Sequence, residues 1–196
     1  MQNLRAAAGG AHLFVSAKTS TAIPARHSVV RDALIQGSLD QAVRSIDYVA
    51  SARVAAAQVR LDAIVFVRDD GRYVLDIVEI RPLRDIDTEG LAQIALRDLG
   101  LTPLTISRAE ILREPRYSNA KLVWNHRLYP VGISLRMQIL GILGEEGPMA
   151  LGRLLAAIRT DRDAGAAVMA LACSDLVELD LVSGPLGPAT IARCRV

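Results

Sequence analysis

The sequence predicts a mixed α/β domain followed by a small helical domain that ends in two strands. The first part is indicated by the stretch RLDAIVFVRDDGRYVLDIVEIRP (60–82), which has the composition of a β-hairpin and lies between helix-forming segments. The second part is indicated by a change of composition after Pro130. We therefore divide the chain into domains at 26–130 and 131–196. The preceding segment, 1–25, is rich in small and polar residues and is expected to be a poorly ordered arm.

The composition indicates a folded protein without a membrane span. Of 196 residues, 51% are hydrophobic and 22% are charged, which is typical of globular domains and not of disordered chains. The net charge is +2, so attraction to nucleic acid would have to come from local basic patches. No apolar run approaches the roughly 18–20 residues that a membrane span requires, and we expect a soluble, cytoplasmic protein. The two cysteines, Cys173 and Cys194, form no metal-binding or disulfide pattern.

The elements of the first domain follow from hydrophobic spacing and from helix start and stop signals. Apolar residues at helical spacing begin at Val29, and the segment after that helix is β-branched and aromatic. Beyond the hairpin, Asp87 or Thr88 is expected to cap a helix that Gly100 ends. The predicted order is a helix (27–39), a strand (42–50), the hairpin, a helix (87–100), a strand (102–106) and two short helices (108–112 and 119–127).

The second domain has the pattern of a winged helix, a relative of the helix-turn-helix. Three helices are predicted near 133–143, 150–158 and 164–176, followed by two strands around the Gly184-Pro185 turn. This domain carries more acids than bases, and its third helix, AGAAVMALACSDL, offers few side chains that could hydrogen-bond a base edge. We therefore expect this helix to pack against protein, with Arg193 and Arg195 as the best phosphate contacts of the wing.

The hairpin places charged residues where an apolar core is expected. A two-residue Asp70-Gly71 turn would set Asp62 directly across from Glu79, with Arg81 on the same face as Glu79. Facing like charges, with Cβ atoms about 4.5–5.5 Å apart, are destabilising. Either an arginine such as Arg81 or Arg60 bridges the two carboxylates, or a divalent cation such as Mg²⁺ or Mn²⁺ binds between them. The spacing alone leaves both alternatives open.

These residues resemble the D…(D/E)-x-K core of the PD-(D/E)xK nucleases, with Arg81 in the lysine place. The order of LTISRAEILREP, SNAKLVWNHR and the segment from Ile133 onward is similar to the TnsA endonuclease subunit of heteromeric bacterial transposases. The resemblance implies a restriction-endonuclease-like mixed sheet flanked by helices, followed by a small winged-helix domain. It also implies a DNA endonuclease that works beside a transposase or another DNA-binding protein. A homodimer is a candidate assembly, and the sequence leaves the oligomeric state open. The catalytic residues of the endonuclease would be Asp62, Glu79 and Arg81, and the first two would bind Mg²⁺ or Mn²⁺.

The chain departs from that family at two positions that affect activity, so we treat the fold and the nuclease activity as separate predictions. The family often carries a glutamate on its first helix, where this chain has Val30. Arg81 is a planar, permanently charged fork that could pair with the acids and close the metal site, whereas lysine is a compact point donor. One alternative is therefore an inactive nuclease-fold module that binds DNA or protein. A transcription regulator acting through the winged helix is a third hypothesis, which the acidity of that domain disfavours.

Basic residues after the hairpin are candidates for contacts with a DNA backbone, which would give affinity that depends on salt and not on sequence. The alternative is an ordinary solvated face, because Glu110 and Glu114 interrupt the run. Asp76 is expected to be a structural charge on the opposite strand face from Glu79. The candidate DNA-binding residues are Arg84, Arg108, Arg113, Arg116, Lys121 and Arg127, together with Arg193 and Arg195 of the wing.

Overall fold

The computed structural model of the protein describes residues 13–195. It contains a mixed four-stranded sheet flanked by helices and a second, three-stranded sheet near the C-terminus. The strands are β1 (Leu13–Phe14), β2 (Ile23–Pro24), β3 (Val43–Val54), β4 (Ala57–Arg68), β5 (Gly71–Ile77), β6 (Thr102–Ile106), β7 (Met149–Ala150), β8 (Val177–Leu179) and β9 (Ile191–Cys194). The helices are α1 (Ser28–Leu39), α2 (Ile86–Asp98), α3 (Arg108–Ile111), α4 (Arg116–Trp124), α5 (Ile133–Glu146), α6 (Leu151–Ala157) and α7 (Ala164–Cys173).

The central sheet has the strand order β3-β4-β5-β6, and its two faces are covered by different helices. β3, β4 and β5 are antiparallel neighbours, and β6 runs parallel to β5 after the α2 crossover. Because side chains alternate along a strand, β4 contributes to two cores. Ile64 and Phe66 belong to the large core that contains α1, whereas Leu61 and Ala63 pack in a smaller core with α2. The predicted α/β class with a mixed sheet is confirmed.

The helix after the hairpin begins earlier than predicted. Asp85, and not Asp87 or Thr88, is the N-cap of α2: its carboxylate accepts hydrogen bonds from the backbone N–H and the hydroxyl of Thr88, at 2.8 and 2.9 Å. Gly100 follows the helix with φ +65, the left-handed conformation that favours glycine at a helix end. The predicted stop at Gly100 is therefore confirmed, and the N-cap was predicted two or three residues too late.

The β4–β5 register differs from the predicted one. Residues 69 and 70 form the turn, and Gly71 is the first residue of β5, paired with Arg68. Gly71 has φ +154, which L side chains rarely adopt, so the glycine is required just after the turn and not within it. Each β4 residue consequently pairs with a β5 residue two positions earlier than predicted, and the pairing ends at Val65 with Val74. The predicted Asp62–Glu79 pair is wrong.

The C-terminal part contains the predicted helices and strands in the predicted order. β7, β9 and β8 form an antiparallel sheet in that spatial order, and α5, α6 and α7 pack beside it. The third helix, α7, is almost entirely buried, and Val168 and Leu171 lie in the same core cluster as Leu34 of α1 and Val123 of α4. The two parts of the chain therefore share one hydrophobic core, and α7 has no free face that could enter a DNA groove.

The start of the described chain is packed, in contrast to the poorly ordered arm predicted for 1–25. Phe14 stacks on Trp124 with ring centroids 5.2 Å apart, and Ile23 is fully buried. Lys18 is buried as well, and its carbonyl accepts a hydrogen bond from the Ile46 amide of β3 at 2.8 Å. The small, polar composition of the segment gave no sign that these three side chains are buried. The rest of the predicted arm, residues 1–12, lies outside the described residues. Among residues 13–195 no helix is long and apolar enough to cross a membrane.

Candidate functional site

Asp62, the first predicted metal ligand, lies at an irregularity of the sheet. The β3–β4 register shifts between the Val49–Ala63 and Ser51–Arg60 pairs, and Asp62 has φ +48 at this bulge. Its carboxylate accepts one hydrogen bond from the Tyr48 hydroxyl and one from Arg60 Nε, both at 2.6 Å. Bulges redirect side chains locally, and here the redirected carboxylate meets a phenol and a guanidinium on neighbouring strand positions. Arg60 was predicted to bridge Asp62 and Glu79, but it contacts Asp62 and not Glu79.

The protonation states of Asp62 and Tyr48 reinforce this contact. Desolvation raises the pKa of Asp62, but the hydrogen bonds from Tyr48 and Arg60 outweigh it and hold the pKa below its usual value. Burial, followed by the hydrogen bond to Asp62, raises the pKa of Tyr48 to about 12. Around neutral pH the carboxylate is therefore ionised and the phenol keeps its proton, so that donor and acceptor remain matched.

Glu79, the second predicted metal ligand, is not on a strand. β5 ends at Ile77, and the chain continues as a 3₁₀ turn over Val78–Ile80. The Glu79 carboxylate accepts a hydrogen bond from the backbone N–H of Arg108 at 2.9 Å, at the first residue of α3. It therefore supplies an acceptor to a helix start that would otherwise leave this amide unpaired. No contact between Glu79 and Asp62 occurs in the described residues.

Arg81 makes its ion pair with Asp76, a partner that the sequence did not suggest. The guanidinium donates from Nε and Nη2 to the two carboxylate oxygens of Asp76, at 2.8 and 2.5 Å. Thr105, which pairs with Asp76 across the parallel β5–β6 ladder, donates its hydroxyl to the same carboxylate at 2.9 Å. Asp76 therefore has the structural role expected of it. Arg81 was predicted to pair with the acids of the metal site, Asp62 and Glu79, but it pairs with Asp76 instead.

The three predicted catalytic residues thus have three separate sets of partners. A Mg²⁺ site would need carboxylate oxygens that converge and are free of competing donors. Within residues 13–195 no three acid, histidine or cysteine side chains are grouped so that they could hold a metal ion. As the side chains stand, the donor set around Asp62 and Glu79 does not fit a shared divalent cation. The predicted binding of Mg²⁺ or Mn²⁺ would require both carboxylates to leave their present partners.

The Asp76–Arg81 pair gives a testable dependence of stability on acidity. The hydrogen bond from Arg81, followed by that from Thr105, holds the pKa of Asp76 below its usual value of 3.8. A carboxyl group with a depressed folded-state pKa stabilises the fold above its unfolded-state pKa, and this contribution is lost as pH falls through the folded-state pKa. Because Arg81 is half-exposed, we expect Asp76→Asn to cost at most about 1 kcal/mol at pH 7, and the deficit should vanish towards pH 2.

Urea unfolding of both proteins at several pH values between 7 and 2 would measure this effect. Asp161→Asn is the matched control, because Asp161 is exposed and makes no hydrogen bond or ion pair with any described residue. A deficit of Asp76→Asn that stayed constant down to pH 2 would show that the ion pair is not its source.

Four of the predicted DNA contacts are neutralised within the chain. Arg195 is the clearest case: its guanidinium lies 2.8 Å from Glu178 and 3.5 Å from Asp175, and it also donates to the carbonyls of Gln41 and Val43. These internal acceptors compete with a phosphate for the guanidinium, so they disfavour Arg195 as a DNA contact, and its role stays a prediction. The other three pairs are Arg84 with Glu89, Arg116 with Asp40 and Arg193 with Glu178.

The remaining cations include a group around a groove between α1 and α4. Three predicted DNA contacts, Arg108, Lys121 and Arg127, line a concavity of about 460 Å³ together with Arg31. None of these four cations forms an ion pair with a carboxylate in the described chain, and we call them, with Trp124 between them, the basic groove. Arg113 also lacks an ion pair within 13–195 but does not line this concavity.

The sequence analysis missed Arg31 because the groove is a product of tertiary packing. α1 and α4 are distant in the sequence and meet through the large core, where Leu34 of α1 is buried with Val123 of α4. The buried Gln36 side chain also ties α1 to α3, because its amide donates to the Ile111 carbonyl at 2.6 Å. Arg31 stands on the helix turn after Ser28, with only Asp32 as a neighbouring acid in the concavity. The helical spacing of α1 could have shown that Arg31 is solvent-facing, but not what lies across from it.

Comparison with known proteins adds no assignment to this geometry. No protein-family model matches the chain, and no curated protein is significantly similar to it.

Proposed function

We propose that this protein is a nucleic-acid-binding module with a restriction-endonuclease-like fold that does not hydrolyse DNA. The observation that carries the proposal is the separation of the three predicted catalytic side chains. Asp62 is held by Tyr48 and Arg60, Glu79 by the Arg108 amide, and Arg81 by Asp76. Hydrolysis by a metal-bound water needs an ion that binds and orients it, and these contacts would all have to break first.

The order of elements supports the fold assignment within this proposal. A helix, three antiparallel strands, a crossover helix and a parallel strand are followed by the short helices α3 and α4, which is the layout that the nuclease resemblance implies. The order α5-β7-α6-α7-β8-β9, with a three-stranded sheet, is what a winged helix would have. Because α7 is buried, a regulator that reads DNA through this helix is the least favoured hypothesis.

Nucleic-acid binding is supported by the distribution of free positive charge. Most of the cations near α2 and the wing are paired with acids, whereas those of the basic groove are not. Unpaired cations concentrated in a concavity raise the local potential much more than the net charge of +2 would. The affinity they provide would be independent of sequence and would fall steeply with salt.

A TnsA-like, metal-dependent endonuclease is the second candidate function. One observation favours it: Asp62 is a non-glycine residue with φ +48 at a β-bulge. Such bulges and strained residues are enriched beside active sites. In this alternative Asp62 and Glu79 would rearrange around Mg²⁺ or Mn²⁺, a transposase would direct the cut, and Arg81 would stabilise phosphate charge.

We expect the protein to bind DNA without nicking it. Fluorescence anisotropy with labelled DNA at low salt should show binding, and supercoiled plasmid incubated with Mg²⁺ or Mn²⁺ should remain intact. Calorimetric titration with Mn²⁺ should show no difference between the wild type and Asp62→Asn. Nicking by the wild type that Asp62→Asn abolishes would establish the endonuclease instead, and failure to bind any nucleic acid would contradict the proposed function.

A further inference from the structure

A second concavity, also of about 460 Å³, adjoins the basic groove on the side of α4 near β1. Arg31, Trp124 and Arg127 line both concavities, so they form the wall that the two spaces share. Volumes of about 300–1,000 Å³ are typical of ligand sites. Two such spaces that join at one wall provide a path for an elongated ligand more readily than for a single compact one.

The charge of this path selects an anion. Arg31, Arg108, Lys121 and Arg127 face one acid, Asp32, and no carboxylate in the described chain lies within ion-pairing distance of any of the four. Among the described residues the Lys121 ammonium donates to the Tyr117 hydroxyl, at 3.0 Å, and the Arg127 guanidinium lies over the Trp124 ring, 5.6 Å from its centroid. Side chains that are positioned by neutral and aromatic neighbours keep their charge available to a ligand.

Unpaired hydrogen-bond donors lie along the same path. Ser28 and Val29, at the start of the 12-residue helix α1, line the first concavity, and the N-cap His27 makes no side-chain capping bond. The first-turn amides of a helix without a cap favour anions. Trp124 lines both concavities, and its indole N–H is buried and has no hydrogen-bond acceptor among residues 13–195, which is a costly state for a polar group.

The walls between these donors are apolar, so they favour an anionic ligand that also carries apolar groups. Val29, Ile35 and Leu112 line the first concavity, and Leu13 and Leu128 line the second. A single nucleic-acid strand combines phosphates with flat bases that can lie against apolar and aromatic surface. A duplex keeps the flat faces of its bases stacked inside and presents its backbone and base edges, and a polyglutamate-like acidic peptide has no flat groups at all. Arginine forks also match phosphate bidentately.

We infer that a single strand of DNA or RNA binds along the basic groove, with its phosphates held by Arg31, Arg108, Lys121 and Arg127. Its bases lie against the apolar walls of the two concavities. The inference rests on the proposed function, because it names the strand type and the surface by which this module binds nucleic acid.

Trp124 is the single tryptophan of the chain and reports on this surface directly. Titration of the full-length protein with a single-stranded dT oligonucleotide should change Trp124 fluorescence in parallel with the anisotropy of a label on the oligonucleotide. The variant Arg31→Gln/Lys121→Gln should bind at least about tenfold more weakly at low salt. Its slope of log affinity against log salt should be shallower by about 1.4, because each phosphate contact on a single strand contributes about 0.7.

Arg136→Gln/Arg159→Gln is the matched control, since it removes the same charge from exposed arginines outside the groove. It should bind like the wild type, and thermal unfolding should show that both variants are folded. Equal affinities of the groove and control variants would overturn the inference while leaving nucleic-acid binding intact. Tighter binding of the matching duplex, or complete displacement by polyglutamate at equal charge, would overturn the single-strand assignment. Absence of any nucleic-acid binding by the wild type would remove the proposed function itself.

Discussion

Replacing Asp175 with asparagine is expected to lower the free energy of unfolding by about 3 kcal/mol, because it leaves a buried lysine without its counterion. The Lys18 side chain is only 2% exposed and has two partners, the Asp175 carboxylate at 3.3 Å and the Asp40 carbonyl at 2.6 Å. Arg195, which also contacts Asp175, keeps its ion pair with Glu178, but without Asp175 no carboxylate would stand between it and Lys18, and the two like charges would repel each other. Asparagine keeps the shape of the side chain and tolerates the φ of +58 at this position.

The loss of stability in Asp175→Asn should become smaller as pH rises. Burial lowers the pKa of Lys18 below its usual 10.5, and the nearby Asp175 opposes that shift. Without Asp175 the folded-state pKa of Lys18 falls further. A folded state that binds fewer protons than the unfolded state gains stability as pH rises. The difference in the free energy of unfolding between Asp175→Asn and the wild type should therefore decrease in alkaline solution, because Lys18 loses its proton in the folded variant.

Urea unfolding of the wild type and Asp175→Asn between pH 7 and pH 10 would measure both effects. The double variant Lys18→Met/Asp175→Asn is the control, because it removes the stranded charge together with its partner. It should be more stable than Asp175→Asn alone. A double variant that is no more stable than the single one would show that the buried charge is not the cause.

Replacing Asn119 with alanine is expected to lower the free energy of unfolding by about 2–3 kcal/mol. Asn119 is 3% exposed on α4, and its amide spans the loop between β8 and β9. Its Nδ2 donates to the carbonyls of Leu181 and Gly184, at 3.0 and 2.8 Å, and its Oδ1 accepts from the Leu186 amide at 2.9 Å. Removing this side chain leaves three backbone groups without their partner, and unsatisfied buried groups are costly.

Chemical denaturation of Asn119→Ala against Asn125→Ala would test the role of these bonds. Asn125 is exposed at the end of the same helix, and its side chain bonds to no residue of the described chain, so its loss should cost little. Asn119→Asp keeps the volume and the acceptor but sets a carboxylate against two carbonyls, and it should be at least as destabilised as Asn119→Ala. Near-wild-type stability of Asn119→Asp would indicate that packing, and not hydrogen bonding, matters at this position.

Both variants probe the same structural feature, the joining of the two parts of the chain. Asn119 ties α4 to the β8–β9 loop, and the cluster of Lys18, Asp175 and Arg195 ties the segment before α1 to the end of α7 and to β9. A division at residue 130 is visible in the order of elements, but these contacts and the shared core cross it. Because these contacts cross residue 130, we expect cleavage of the chain at that residue to destabilise both parts.

The candidate site shows where sequence reasoning stopped being sufficient. The residues Asp62, Glu79 and Arg81 were singled out because of a turn assignment, and a change of turn by one residue moved the register by two. The end of β5 at Ile77 then took Glu79 off the strand, and Arg81 turned back to Asp76. The local sequence indicates neither the position of Glu79 nor the pairing of Arg81, because both depend on which side chains become neighbours once α3 and β6 have packed.

The sequence by itself determined the α/β class, the order of helices and strands, and the stop of α2 at Gly100, since these depend on hydrophobic spacing and on backbone preferences within a few residues. Only the tertiary structure decided the β4–β5 register, the partners of each charged group and the meeting of α1 with α4 that creates the basic groove. Charges pair with whatever the fold brings within a few ångströms, and that information is distributed over the whole chain.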